Sequence, residues 1–542
     1  MKLRYYHILV PLMIFVLRAQ AQKPDTVIKS NTIEITQSYQ PEIKQNPRPV
    51  LHPTLPPADT TYPVFTYDVP QQTLFYTYNS TPLRPLALGR DSANAGYRRY
   101  IKLGGGNLST LQLDFGEEGK GNNTTNQTAD HSLQLHTISQ KGDIKDQQTW
   151  LTNAHFDGSV YRQNWLWHLS VDALRNQYYF YGYDHDLYQY SSSELSQIYT
   201  GVRASVDVTN QNSSSFHYNP KITASVYDGN GGNDKASEKT FGILLPTSYN
   251  IDTSLQFKAA LNATITQYKV SLDHINNNII QFAPGFEYHK VAFNGHAYLN
   301  PTFGQKNTYL LPDIFASYKL PIVTLNAGWQ GLLHQNSFEQ LSTENPYIFA
   351  ASEIKQTHSD EIFGGLDASL GNHLLVSGRV SAWHYNDLPV FVNAPGDQKQ
   401  FNILYENQLN AVSFHIAGRY QVGHTFAAGL SGTWYSFNGG NLPQIWQVPT
   451  SKIKGDLLFH PISELNITAY IALLDGLKAL DNNGNAVTMN SVFDIGGNVE
   501  YDIVSRFAVF LQLSNLLNNK NERWYGYTSY GFNIIGGIRF KF

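Results

Sequence analysis

The chain has 542 residues, 42% of them hydrophobic, 13% aromatic and only 15% charged, with a formal charge of −4 and no cysteine. Without cysteine there is no disulfide framework, no thiolate metal site and no lipid anchor on a mature N-terminal cysteine. The near-neutral charge balance offers no electrostatic footprint for nucleic acid.

Met1–Ala21 reads as a secretory signal peptide, with Lys2 and Arg4 ahead of an apolar core, Ile8–Leu17, and a small-x-small site at Ala19-Gln20-Ala21. The apolar core contains Pro11 and is too short to span a bilayer, so cleavage after Ala21 is expected over a membrane anchor.

Residues 22–95 have a different texture. Eleven of the chain's 24 prolines lie between Pro24 and Pro85. That density disfavours helix and sheet and favours an extended arm, able to cross a barrel or to trail in the periplasm. Tyr39, Pro41 and Ile43 mark the stretch of the arm expected to dock in a lumen or on a partner. Thr32–Thr36, TIEIT, loosely resembles the short box by which energised receptors engage TonB.

From residue 96 onward the dominant signal has period two. Leu255, Phe257, Ala259, Leu261, Ala263 and Ile265 alternate with mostly polar neighbours, as do Val412, Phe414, Ile416, Gly418, Tyr420 and Val422, and Leu465 to Leu473. Such runs exceed the usual soluble strand of about five or six residues and match the length that crosses an outer membrane. Turn-forming clusters separate them, including Asp228–Asp234, Asn438–Asn441 and Asp481–Asn485. The fold class expected is therefore all-β, a large transmembrane antiparallel barrel of about 16–22 strands. After the N-terminus no apolar run suits a membrane helix.

The last stretch, Gly531–Phe542, places Phe540 and Phe542 on one face and Arg539 and Lys541 on the other, with Gly537 before them. Gly537, Phe540 and Phe542 form the expected signal for the barrel-assembly machinery, on a strand that pairs with the first and leaves no edge open in lipid. With both ends of the barrel in the periplasm, residues 519–530 lie on the outer side, where Trp524, Tyr525 and Tyr527 are expected in the interfacial aromatic girdle. Tyr178–Tyr183, and Trp165 with Trp167, read the same way.

No constellation points to catalysis or to a cofactor. Asp228–Asp234 has oxygen ligands at alternate positions, but Lys239 stands where a calcium loop needs its closing acid, so a hairpin is expected. His384 and His415 sit in alternating strands as lumen or girdle residues, and there is no G-x-S-x-G elbow. The chain is not expected to be an enzyme.

The residues also resemble a known family. Ser38–Ile43 is similar to a Y-x-P-x-I motif near its N-terminus, and Tyr100–Thr110 resembles its first strand. Asn336–Ile348, Trp383–Asn393 and Ser514–Asn518 followed by Trp524–Tyr527 resemble later segments. The family is that of TonB-dependent-receptor-like outer-membrane barrels of the Bacteroidetes type, here without a plug domain, since a proline-rich arm alone precedes the first strand. It departs from the usual assembly signal at Ile535, where a polar residue is customary. The resemblance implies an outer-membrane location and a pore or transporter component, with outer-membrane lipid around it. The alternative is a non-conducting barrel that assembles with periplasmic or surface lipoproteins. Energisation by TonB is left open, and a soluble secreted sandwich is disfavoured by strand length.

Overall fold

A computed structural model describes residues 98–121, 127–211, 215–231, 234–271, 273–348, 350–351 and 353–542. The signal peptide and the arm, with Thr32–Thr36, Tyr39, Pro41 and Ile43, lie outside the described residues.

The expected barrel is what the structure contains: one closed antiparallel sheet of 22 strands. Closure occurs where the first strand, Arg99–Gly106, pairs with the last, Asn533–Lys541, from Tyr100↔Lys541 to Gly106↔Ile535. The closed sheet has no edge strand, so the wall presents no open ladder to lipid. The alternation read from the sequence sorts the two faces. Val412, Phe414 and Ile416 are 55%, 46% and 43% exposed on the outside, while the intervening Ala411 and Ser413 are 3% and 6% exposed on the inside. Phe540 and Phe542 likewise face outward, and Arg539 turns inward to Asp502 at 2.7 Å. A closed sheet with an apolar outer band and a polar interior is the construction of an outer-membrane protein.

Gly537 is required by the seam. A Cβ there would meet the Leu103 carbonyl oxygen at 2.1 Å and the Phe510 ring at 2.5 Å. Phe510 lies across the closing strands, and the Lys102 ammonium sits over its ring at 4.0 Å.

Many strands are longer than the runs picked out in the sequence; Asp234–Asn250 has 17 residues and Leu255–Val270 has 16. A tilted strand crosses the hydrocarbon with about 9–11 residues, so the remainder carries the wall beyond the lipid. The ends differ in kind. At the end holding Arg99 and Phe542 the connections include short turns such as 163–164, 371–373 and 505–506, whereas 180–195, 335–356, 387–408, 440–450, 476–491 and 515–532 all leave from the opposite end. Asp228–Gly231 and Asp234 lie at the paired ends of two wall strands, with Gly231 opposite Asp234, in keeping with the expected hairpin.

Candidate functional site in the loop cap and the lumen

The long connections fold together into a cap. In 335–356, the Ser337 side chain accepts from the Gln340 N–H at 3.0 Å and starts a short helix, Phe338–Glu344. The wall receives this helix: Glu238 accepts the Phe338 N–H at 2.7 Å, and the Phe338 ring lies 5.3 to 6.1 Å from Tyr268, Tyr227 and Tyr199. Tyr199 donates to the Pro346 carbonyl at 3.0 Å, and the hydroxyls of Tyr227 and Ser342 meet at 2.8 Å. Phe338, Tyr199, Tyr227 and Tyr268 are all buried.

Beside the helix the loops pack ring against ring. Tyr347 stacks on Tyr527 at 3.7 Å, and Tyr181 packs edge-on against Tyr527 at 4.9 Å. Trp524 stands edge-on to Phe391 at 5.1 Å and Phe401 at 5.7 Å. Polar ties join the same loops: Tyr190 donates to Asp397 at 2.5 Å, Asn393 to the Tyr525 carbonyl at 3.1 Å, and Tyr527 to the Lys399 carbonyl. Loop 180–195 follows the fifth strand of the wall and loop 387–408 the fifteenth. In a ring of 22 strands these positions are nearly opposite. Contacts between them must cross the mouth, and the cap therefore spans the lumen at this end.

This corrects the sequence reading of several aromatic residues. Trp524 and Tyr527 are 5% and 3% exposed in the cap core, where the girdle would have them at the lipid boundary. Tyr525 packs against the small cluster of Leu477, Ala479 and Met489. Phe180, Tyr181 and Tyr183 are buried with them. The physical reason is that loops leaving opposite sides of the barrel supply one another with apolar surface, and rings gain more from mutual burial than from the interface. Trp165 and Trp167, by contrast, are exposed on the outer face near the short-turn end, as a girdle requires.

The cap also buries charge. Glu344 ends the helix, 4% exposed, and neither carboxylate oxygen has a hydrogen-bond partner. Burial pushes its carboxyl well above the usual range, against the opposing pull of Arg523 and Lys452. Burial also lowers the Arg523 guanidinium to about 10, with Glu344 opposing. Arg523 donates to the Gln447 carbonyl at 2.9 Å and lies over the Trp524 ring at 4.0 Å.

Below the cap the lumen wall is lined by matched charges. At the closing seam Arg539 and Lys541 hold Asp502 at 2.7 and 3.4 Å, and Arg539 also pairs with Glu500. On another sector, Asp172, His155, Asp157, His168 and Asp207 form a chain, with contacts of 2.6 Å between His155 and Asp172 and 2.9 Å between His168 and Asp207. Each imidazole has a carboxylate at both nitrogens, and a carboxylate only accepts, so both contacts are hydrogen bonds when the ring carries two protons. His415 faces the lumen and meets Thr433 at 2.8 Å; His384 meets Asn410 at 2.9 Å on the outer face. Among the described residues no group of three or more His, Asp or Glu is arranged to hold a metal ion.

Sequence reasoning missed Phe338, Glu344 and Tyr347, which lie in a stretch, Asn336–Ile348, noted only for its family resemblance. The spacing Ser337-x-x-Gln340 is a helix-start signal that could have found the helix. Glu238, Tyr199 and the histidine–aspartate chain carry no local signal, because register alone brings them to their partners.

No protein-family model and no curated protein sequence matches the chain. Among solved structures, its fold is similar to the FrpB iron transporter from Neisseria meningitidis, with a TM-score of 0.65 and 9% identity over 84% of this chain and 82% of that one. It is similar to the siderophore receptor PirA from Acinetobacter baumannii, with a TM-score of 0.63 and 11% identity over 83% and 81% of the two chains. It is also similar to the ferric-catecholate import receptor Fiu from E. coli K12, with a TM-score of 0.61 and 8% identity over 82% of each. The wall described above thus has the fold of these transporters and receptors.

Proposed function

We propose that the protein is a gated pore or transporter component of the outer membrane, TonB-dependent-receptor-like and without a plug domain, with its outer mouth shut by its own loops. The observation that carries this reading is the cap: Tyr181, Tyr347 and Tyr527, from three separate loops, meet over the lumen. A ring of 22 strands encloses more space than side chains of its own wall can fill. The charged, internally paired lining is the environment a polar solute would cross. In this reading, residues 22–95 form a periplasmic arm, and Tyr39, Pro41 and Ile43 dock it in the lumen or on a partner. Gly537, Phe540 and Phe542 present the last strand to the barrel-assembly machinery. TonB is the candidate energiser, through Thr32–Thr36.

The test is single-channel conductance of the mature chain, a variant lacking Lys23–Ala95, and the double variant Tyr347→Ala, Tyr527→Ala. The parent is expected to be silent and the double variant to conduct; conductance on removing the arm alone would assign the closure to the arm. The alternative reading is a permanently closed scaffold that assembles with periplasmic or surface lipoproteins, for which the same cap would be a fixed closure. Silence from all three proteins, together with a lipoprotein co-purifying under mild conditions, would replace the transporter reading by that one.

A further inference from the structure

One sector of the outer wall concentrates basic side chains just above its apolar band. On the strand Leu255–Val270 the apolar outward residues run from Leu255 to Ile265, which matches the about 9–11 residues that cross hydrocarbon. Thr266 and Tyr268 are buried toward the cap, so Gln267 and Lys269 hold the next two outward positions. Register extends this face to both neighbours. Gln267 lies opposite Lys239, and Lys269 opposite Ser237, on Asp234–Asn250. On the other side Lys269 lies opposite His274 of Asp273–Asn276, and Gln267 opposite Asn276. Lys235, two residues from Ser237, is opposite Asn230. Directly beneath, Val226, Phe241 and Ile265 are exposed on the lipid-facing side.

Lys235, Lys239, Lys269 and His274 are all exposed. Among the described residues none of the three ammonium groups is in an ion pair, and Asp228, opposite Ser237, is the one carboxylate on this face. The lumen treats its cations differently: Lys258 pairs with Glu287 at 2.8 Å and Arg539 with Asp502 at 2.7 Å. Lys269 stands diagonally between Lys235 and Lys239, at the spacing of about 7–8 Å that separates diagonal neighbours in a sheet. Like charges so placed repel one another, and an anion seated among them removes the repulsion. The patch is local. On Thr357–Leu370 and Leu374–Asn386 the outward row above the apolar band holds Asp360 opposite His384 instead.

We propose that this patch is a docking site for a phosphorylated glycolipid of the outer leaflet. Its height carries the argument: the lysines occupy the first outward rows beyond the hydrocarbon span, at the level of lipid headgroups. Ammonium groups meet phosphate as point charges and donate to its oxygens. The amides of Gln267, Asn276 and Asn230, interleaved with them, both donate and accept, which suits sugar hydroxyls. The apolar wall beneath is continuous with the patch and receives the acyl chains, so one molecule satisfies both surfaces. A soluble anionic protein would meet the lysines but leave that apolar surface to other lipid. The inference goes beyond the transporter reading and holds whether or not the lumen conducts.

The test is native mass spectrometry of the mature protein in neutral detergent, titrated with diphosphoryl lipid A, with its dephosphorylated form and with phosphatidylglycerol. Diphosphoryl lipid A is expected to bind most tightly. A lysine near anionic headgroups contributes about 1 kcal/mol, so Lys235→Gln, Lys239→Gln and Lys269→Gln should each weaken binding about fivefold, and the triple variant on the order of a hundredfold. Lys290→Gln, in a turn at the opposite end of the barrel, should bind as the parent does. Unboiled gel mobility confirms that each variant is folded. Absence of lipid A binding overturns the site, as does a triple variant that binds like the parent, or equal weakening by Lys290→Gln. Equal retention of the dephosphorylated lipid would leave only acyl-chain contact with the wall, and equal binding of phosphatidylglycerol only a general attraction for anionic headgroups; either result removes the glycolipid site.

Discussion

The wall and the cap use the same residue types in opposite senses. In the wall, apolar side chains point away from the protein into lipid and polar ones point inward, so Val412 and Phe414 are exposed beside a buried Ser413. In the cap the arrangement is that of a soluble domain, with Phe338, Tyr347 and Trp524 inside and polar residues around them. The difference lies in what surrounds each part. The wall meets hydrocarbon and its hydrogen bonds are closed by the sheet, so its outer side chains need no partner of their own. The cap stands beyond the lipid and must make its own apolar interior. Location is therefore a property of the wall, while the cap is a separate packed layer over the lumen, and the two should break independently.

The largest effect is expected at the seam. Gly537→Leu places a side chain where the Leu103 carbonyl oxygen and the Phe510 ring already stand, 2.1 and 2.5 Å from the Cβ position. Backbone cannot yield there without parting the first and last strands, so the penalty should exceed the usual overpacking cost of about 1–3 kcal/mol. The folded, heat-modifiable band on an unboiled gel should disappear. A normal band would mean that the barrel closes by another register.

Phe338→Ala should spare the wall and loosen the cap. Truncating a buried Phe costs about 3–5 kcal/mol, borne here by the contacts among the helix, Tyr199, Tyr227 and Tyr268. Far-ultraviolet circular dichroism should be unchanged, while the aromatic near-ultraviolet signal falls and residues 335–356 become open to protease. Loss of strand signal as well would show that cap and wall form one cooperative unit.

Glu344 gives the cap a pH-sensitive group of its own. Its folded value is raised above the ordinary 4.5, because burial opposes the charged form. The stabilisation from the neutral carboxyl is complete below the unfolded value and is lost as pH rises through the raised folded value. Arg523, lowered to about 10, keeps its charge through the neutral range and does not generate the transition. Protease cleavage of the parent cap should accelerate as pH rises from acid to mildly alkaline conditions. Glu344→Gln should remove that dependence and protect the cap at the alkaline end; an unchanged pH profile would place the titration on another group.

How far each region was legible follows from the same contrast. The wall repeats a local rule, so the run from Val412 to Val422 and the pair Phe540 and Phe542 disclose their faces without any knowledge of neighbours. The strand number came within the expected range because turn clusters such as Asp228–Asp234 mark hairpin ends. The cap follows no local period. Tyr181 and Tyr527 look like girdle residues because a girdle and a loop core draw on the same rings, and only contacts between loops from opposite sides distinguish them. Lumen partners such as His155 with Asp172 depend on strand register, which one sequence does not disclose.

The smallest effect is expected where wall and cap are tied by charge alone. Arg203, on a wall strand, reaches Glu339 of the cap helix at 2.6 Å, but its side chain is 49% exposed. Ion pairs in water-accessible positions contribute about 0–1 kcal/mol and are screened by salt. Arg203→Ala should therefore change protease cleavage of the cap only slightly, and raising the salt concentration should erase even that difference. A large, salt-resistant effect would show that Arg203 acts through packing of its stem against the helix, and would move the hold on the cap from its aromatic core to its rim.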